Sequence, residues 1–194
     1  SRGLGDVYKR QLIRAEGAEL IVHGESWFEA NAYVQESLAG DEAFIHPFDH
    51  PLLWQGHSSL IDEVVQCGIK PSVVVLSVGG GGLLCGAVEG MQRVGWHDVP
   101  VLAMETEGAE SFAAARAAGR VVRLPAITSI ASSLGAQQVC DQALTWADQH
   151  PVISEVVSDA AALIACERLL QDHRLLVEPA CGAALAAVTE SSKH

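Results

Sequence analysis

Four glycines in a row, Gly79 to Gly82, stand between the apolar run Val73-Val74-Val75-Leu76 and the segment Leu83-Leu84-Cys85-Gly86. Continuous β-branched residues such as Val73 to Val75 suit a strand covered on both faces, as in a parallel sheet. After the glycines, Leu83, Leu84, Ala87 and Val88 recur at helical spacing, so the glycines occupy a strand-to-helix turn. Without β-carbons, such a turn can take positive φ and let a ligand approach the backbone closely. Its free N–H groups and the positive end of the new helix then favour an anion such as phosphate. A plain βα turn needs one glycine rather than four, so phosphate binding is the expectation.

Three kinds of phosphate ligand compete for this turn. A Walker loop carries Lys-Ser/Thr after its last glycine, and Leu83-Leu84 stand there instead. A dinucleotide loop reads GxGxxG, and Leu84 replaces the third glycine; Glu105, after the next apolar run, does sit where a ribose-binding carboxylate would. The third ligand is a cofactor monophosphate held by backbone amides, which requires no lysine in the loop.

The composition narrows the partners. A net charge of −12 on 194 residues leaves no basic face for nucleic acid, and an acidic chain is repelled by anionic membrane surfaces. No apolar run reaches the roughly 20 residues of a membrane span. The five cysteines (Cys67, Cys85, Cys140, Cys166, Cys181) form no CxxC pair. Four of them sit in apolar periodic segments, which predicts buried free thiols and a cytosolic location. His46, His50 and His57 are close in sequence but match no zinc spacing.

Along the chain, strands and helices alternate. Helices are expected over Leu12–Glu16, Ser26–Leu38, from Ser58 as cap to Val65, from the glycines to about Gly95, and over Ser111–Ala118. Further helices are expected over Gln137–Gln149, over Asp159–Asp172 with Asp159 as cap, and from Glu178 to about Val188. Strands are expected at Ala18–Val22, Ala43–Ile45, Val73–Ser77, Val99–Met104, Val121–Leu124 and Val152–Val157. The alternation implies α/β architecture with a parallel sheet and flanking helices. His46–Gly56 holds two prolines and reads as a connection, which sets a domain boundary between His50 and Pro51. Ser1–Gln11 shows no helical or strand periodicity and resembles translated adapter sequence, so it is expected to be a non-native leader. Residues 12–50 are then a remnant of a small domain, and 51–194 a larger cofactor domain.

Five ordered segments carry a family resemblance: PFDHPLLWQGHSSL (Pro47–Leu60), SVGGGGLLCG (Ser77–Gly86), DVPVLAMET (Asp98–Thr106), LPAITSIASSLGA (Leu124–Ala136) and LVEPACGAALAAV (Leu176–Val188). Together they resemble the pyridoxal-phosphate-dependent L-serine/L-threonine dehydratases, in the serine dehydratase branch. The resemblance implies the tryptophan-synthase-β-like fold (fold type II). Carried onto this sequence, it implies that the amides of Gly79, Gly80, Gly81, Gly82 and Leu83 hold the phosphate of pyridoxal 5'-phosphate. It implies a monovalent cation, K+, held by oxygens of Gly79, Glu105, Ala109, Ser111 and Leu134, which suits a hard ion. Read alone, Glu105 is a solvated strand-end carboxylate and Ser111 a helix cap. The implied reaction is β-elimination on a small amino-acid substrate in a homodimeric enzyme, giving pyruvate or 2-oxobutanoate and ammonia.

The resemblance also exposes a gap. Cofactor attachment in this family requires a lysine, and the chain holds only Lys9, Lys70 and Lys193. Lys9 is in the leader segment, Lys70 precedes its strand at the end away from the glycines, and Lys193 is near the tail. The Ser/Asn/Gly loop for the substrate carboxylate and the late glycine-rich segment beside the pyridine nitrogen are not found. The expectation is an internal fragment with no catalytic residue of its own, inactive alone. A serine racemase or threonine synthase of the same fold, or a non-catalytic Rossmann-type nucleotide binder, remains as the alternative.

Overall fold

The computed structural model describes residues 4–24, 26–38, 40 and 43–190. The chain divides into two compact units, Ser1–Phe44 and Ile45–His194, ahead of the His50/Pro51 boundary read from sequence.

The first unit carries two helices, α1 (Leu4–Ala15) and α2 (Trp27–Ser37). The start of α1 corrects the reading of Ser1–Gln11 as aperiodic: the described part is helical, and Tyr8, Leu12 and Ala15 follow helical spacing. Ser1–Gly3 lies outside the described residues. Ser26 caps α2 by accepting from the Glu29 amide at 3.3 Å. Ala18–Val22 and Ala43–Ile45 are not strands. Ile21 and Val22 are 58% and 60% exposed, and an isolated strand is unstable without a ladder partner.

The second unit is a three-stranded parallel sheet in the order β1 (Val74–Ser77), β2 (Val101–Thr106), β3 (Val152–Val157). Val74 pairs with Val101, and Val101 with Val152. Alternate side chains serve two cores. Leu76, Val101 and Ala103 join the cluster formed with α4 (Gly82–Arg93) and α6 (Asp141–Gln149). Val75, Leu102 and Met104 face the cluster with α8 (Pro179–Glu190). Continuous apolar strands were expected for that reason. The connecting helices α5 (Ser111–Ala118) and α7 (Asp159–His173) complete the βα units.

Five further expectations are corrected. Of the expected connection His46–Gly56, residues 46–50 are irregular, but Pro51–Gly56 is the start of α3 (Pro51–Gln66). Pro51 occupies the first turn, where its missing N–H costs nothing, and the His50 ring accepts from the Leu52 amide at 3.2 Å. Ser58 is therefore no cap; it is buried and receives Arg93 Nη1 at 2.8 Å. Val121–Leu124 is no strand, since its described backbone bond, Leu124 N–H to Gln137 O, joins it to a loop. The helix expected from Gln137 begins at Asp141, and the cap of α7 is Ser158, one residue before Asp159. Helix α3 packs closely on α4 because a β-carbon on Gly86 would meet Trp54 O at 2.6 Å and one on Gly90 would meet Ser58 O at 2.8 Å.

Candidate functional site

Because all three strands are parallel, their carboxyl ends share one edge of the sheet, where ligands of open α/β sheets gather. The glycine turn leaves β1 at that edge. Val78 N–H still bonds Met104 O at 2.8 Å, and the ladder ends there. Gly81 then takes φ +91° as the cap of α4, a conformation that side chains rarely adopt. Its carbonyl accepts from Cys85 N–H at 2.9 Å, which starts the helix.

The turn borders a cavity of about 320 Å³, lined by Pro47, Phe48, His57, Ser77, Gly79 to Leu84, Ser133 and Leu134. Among the described residues, the amides of Gly79 to Leu83 donate to no protein acceptor. A row of unpaired donors at a helix start is electrostatically suited to an anion. The glycine carbonyls, by contrast, are used for construction: Gly80 O accepts from Cys140 N–H at 3.0 Å. The absence of side chains is also a packing requirement. A β-carbon on Gly80 would overlap the Phe48 ring, and one on Gly82 would stand 2.6 Å from Phe48 O. Phe48 itself is held by Trp54 Nε1 donating to its carbonyl at 2.8 Å. Leu83 lines the cavity and is 38% exposed.

The residues expected to surround a cation fall into two groups. Gly79, Ser111 and Leu134 meet: Ser111 Oγ donates to Gly79 O at 3.3 Å, and a β-carbon on Gly79 would lie 3.3 Å from Leu134 O. Ala109 is buried in the same cluster as Leu134, its N–H donating to Thr106 O. Glu105 is fully buried, which corrects its reading as a solvated carboxylate. Its Oε1 accepts from Phe112 N–H at 2.7 Å and its Oε2 from Ala113 N–H at 2.8 Å. The helix α5 is thus capped by a carboxylate from the neighbouring strand, and Ser111 is its first residue rather than its cap. Burial pushes the Glu105 carboxyl up to about 7, against the pull of the two amides. A buried carboxylate bound to helix amides is not placed to hold a ribose, which removes the support for the dinucleotide reading. Among the described residues, no three His, Cys, Asp or Glu side chains form a metal-type cluster.

The loop that carries Ser133 and Leu134 is anchored by a hydroxyl chain. Ser129 Oγ lies 2.6 Å from Asp159 Oδ1 and 2.8 Å from Thr106 Oγ1. A carboxylate only accepts, so the Ser129 proton goes to Asp159 and buried Thr106 donates to Ser129. Sequence reasoning did not identify this anchor, nor Phe48, Ser77 and Ser133 as cavity residues. Phe48 lay inside a quoted motif, but nothing in its spacing shows that it meets Gly80.

Other sequence readings resolve simply. His46 Nδ1 accepts from the amides of Phe48 and Asp49 at 3.3 and 2.8 Å, so it shapes a turn. His57 is the one ionisable side chain lining the cavity among the described residues. All five cysteines are free, but three are buried (Cys85, Cys140, Cys166) where four were expected, because Cys67, the C-cap of α3, and Cys181, in α8, are exposed. Lys70 is bound to Asp98 at 2.7 Å, at the edge of the sheet opposite the glycines. Lys9 is in α1, and Lys193 lies outside the described residues. No helix described is long and apolar enough to cross a membrane.

The chain is 50% identical over 181 residues to the L-serine dehydratase/L-threonine deaminase of Bos taurus, covering 92% of this chain and 55% of that protein. It is 52% identical over 179 residues to the serine dehydratase-like protein of Mus musculus, covering 91% and 54%. The chain thus spans about half the length of the curated relatives it matches. Its fold superposes on a fungal L-serine ammonia-lyase from Rhizomucor miehei with a TM-score of 0.89 at 36% identity, covering 96% of this chain and 60% of that one. With the model of that family matched over residues 5–194, the chain belongs to the pyridoxal-phosphate dependent enzymes.

Proposed function

We propose that this chain is part of an L-serine/L-threonine ammonia-lyase, which converts serine to pyruvate or threonine to 2-oxobutanoate with release of ammonia. The observation that carries the reading is the row of unpaired amides from Gly79 to Leu83 on the cavity wall. Its relatives at about half identity bear that enzyme's name. Residues 12–50 would belong to the small domain of the parent and 51–194 to its large cofactor domain. The parent would act as a cytoplasmic homodimer.

The residues present fit pyridoxal 5'-phosphate. The amides of Gly79, Gly80, Gly81, Gly82 and Leu83 would take its phosphate, with the positive end of α4 adding to the attraction. When bound, the cofactor supplies an electron sink for charge developing at the substrate α-carbon. Phe48 closes one wall of the cavity and excludes water from that side. Gly79, Ser111 and Leu134, with Ala109 and Glu105, would hold K+ behind the turn, where it offsets the Glu105 charge. Lys70 is committed to Asp98 at the far edge, so the cofactor-bearing lysine would lie in the part of the parent that this chain does not span.

Calorimetric titration separates this reading from a generic apolar pocket. Pyridoxal 5'-phosphate should bind the chain, and pyridoxal without the phosphate should bind at least about tenfold more weakly, a difference of about 1.4 kcal/mol. Equal binding of the two would remove the phosphate cradle and the function built on it.

A further inference from the structure

Behind the glycine turn lies a pair of thiols that the reaction does not use. Cys85, in the first turn of α4, and Cys140, the residue that caps α6, are 55 positions apart, yet their sulfurs are 3.7 Å from each other. Their exposures are 0% and 3%. Both are tied to the cradle. Cys140 N–H holds Gly80 O at 3.0 Å, and Cys140 Sγ would stand 3.1 Å from a β-carbon on Gly81. Gly81 also lines the cavity.

We propose that Cys85 and Cys140 form a reversible disulfide with a hydroperoxide as oxidant, and that the bond loosens the phosphate cradle. Cys140 stands at the N-cap of α6, where the positive helix end favours a thiolate, whereas Cys85 lies further inside α4, so Cys140 is the attacking sulfur. Its thiolate takes the distal oxygen of hydrogen peroxide; the O–O bond breaks, and with one proton the other oxygen leaves as water. Cys85 sulfur then attacks the resulting sulfenic acid, the S–O bond breaks, and a second water carries away the Cys85 proton. Two electrons pass from the sulfurs to the peroxide. Closure requires the sulfurs to approach from 3.7 Å to about 2.05 Å. The N-cap of α6 or the first turn of α4 must move to allow it, and the Gly80–Gly81 segment lies between them.

The coupling to anion binding rests on the cradle reading proposed above, and the test distinguishes the two. The 194-residue chain is treated with hydrogen peroxide, mapped by non-reducing peptide mass spectrometry, and titrated with inorganic phosphate before and after. Expected is a loss of about 2 Da in one peptide pair joining Cys85 to Cys140, restored by dithiothreitol. Phosphate affinity should fall at least about fivefold on oxidation. The cross-link should survive in the double variant Cys67→Ser/Cys181→Ser and vanish in either Cys85→Ala or Cys140→Ser. A cross-link through other cysteines, or none, overturns the proposal. An intact phosphate affinity in the cross-linked protein overturns the coupling alone, whereas no phosphate binding by the reduced protein overturns the cradle and the coupling together.

Discussion

The aromatic ring of Phe48 occupies the space that a β-carbon on Gly80 would need. The two residues are therefore one unit: the glycine is bare because the phenylalanine leans on it, and the phenylalanine forms the cavity wall because the glycine admits it. Gly80→Ala should overpack this contact, at a cost of about 1–3 kcal/mol, and weaken phosphate binding. Adding Phe48→Ala should recover part of both losses. A double-mutant cycle by urea denaturation and phosphate titration reads the coupling. Strictly additive effects would mean that the two residues do not act as a pair.

Gly81 makes a different demand. At φ +91° it is left-handed, and a β-carbon there would also meet Ala143 Cβ at 2.9 Å. Gly81→Ala should cost about 1–3 kcal/mol and no single second-site truncation should restore it, because the strain is in the backbone itself. Thermal denaturation of the variant with and without Val139→Ala checks this; full recovery would assign the cost to packing instead.

The anchor of the Ser133–Leu134 loop is testable through Ser129. Removing its hydroxyl leaves the buried Thr106 hydroxyl without its Ser129 acceptor and Asp159 Oδ1 without the Ser129 donor, while Ile130 N–H still donates to Asp159 Oδ2 at 3.1 Å. Ser129→Ala should cost about 1–3 kcal/mol, whereas the double variant Ser129→Ala/Thr106→Val should cost less than the sum of its parts. Equilibrium unfolding of the three variants measures both.

Much of this fold could be read from the chain before any coordinates. Val74–Ser77, Val101–Thr106 and Val152–Val157 are continuous runs of strand formers between helical stretches, and the glycine turn announces itself. Three other extended runs, at Ala18, Ala43 and Val121, have the same local character but no ladder partner among the described residues, and pairing is not a local property. In the sequence alone Pro51 reads as a break, because proline both ends helices and opens them. The tertiary meetings were beyond reach: Cys85 with Cys140, Phe48 with Gly80, Glu105 with the amides of α5. For Glu105, the only hint was a carboxylate at a strand end seven residues before a helical amide; its burial depends on packing of α5 that no spacing encodes.

His150 supplies a pH dependence away from the site. It is 4% exposed, and its Nε2 lies 2.8 Å from Val99 O, so that nitrogen carries the proton and Nδ1 accepts from Gln92 Nε2 at 3.0 Å. Burial holds its pKa below the ordinary 6.5. A lowered histidine is protonated first in the unfolded chain, so its contribution is intact above pH 6.5 and is lost as pH falls through that value and on through the folded pKa. Unfolding free energy should drop between pH 7 and 5 (roughly the range around the free imidazole pKa), and the drop should shrink in His150→Gln. An unchanged slope in the variant would place the titration elsewhere.

Glu105 carries the opposite sign, and with it a test of the K+ assignment. Its folded pKa of about 7 exceeds the ordinary 4.5, so between these values the native state binds the proton more tightly than the unfolded chain. The resulting stabilisation is complete below pH 4.5 and disappears as pH rises through 7. Above pH 7 an ionised, buried carboxylate is held by two neutral amides and repelled by the Glu110 carboxylate, and a bound cation would relieve that cost. Melting in potassium chloride against tetramethylammonium chloride at equal ionic strength should therefore show a potassium-specific gain that grows from pH 6 to 8.5 (roughly spanning the Glu105 titration). At a concentration 100 times Kd, the gain would be about 2.7 kcal/mol. A gain of the same size at every pH would separate the cation from Glu105, and no gain at any pH would leave the carboxylate as a helix cap alone.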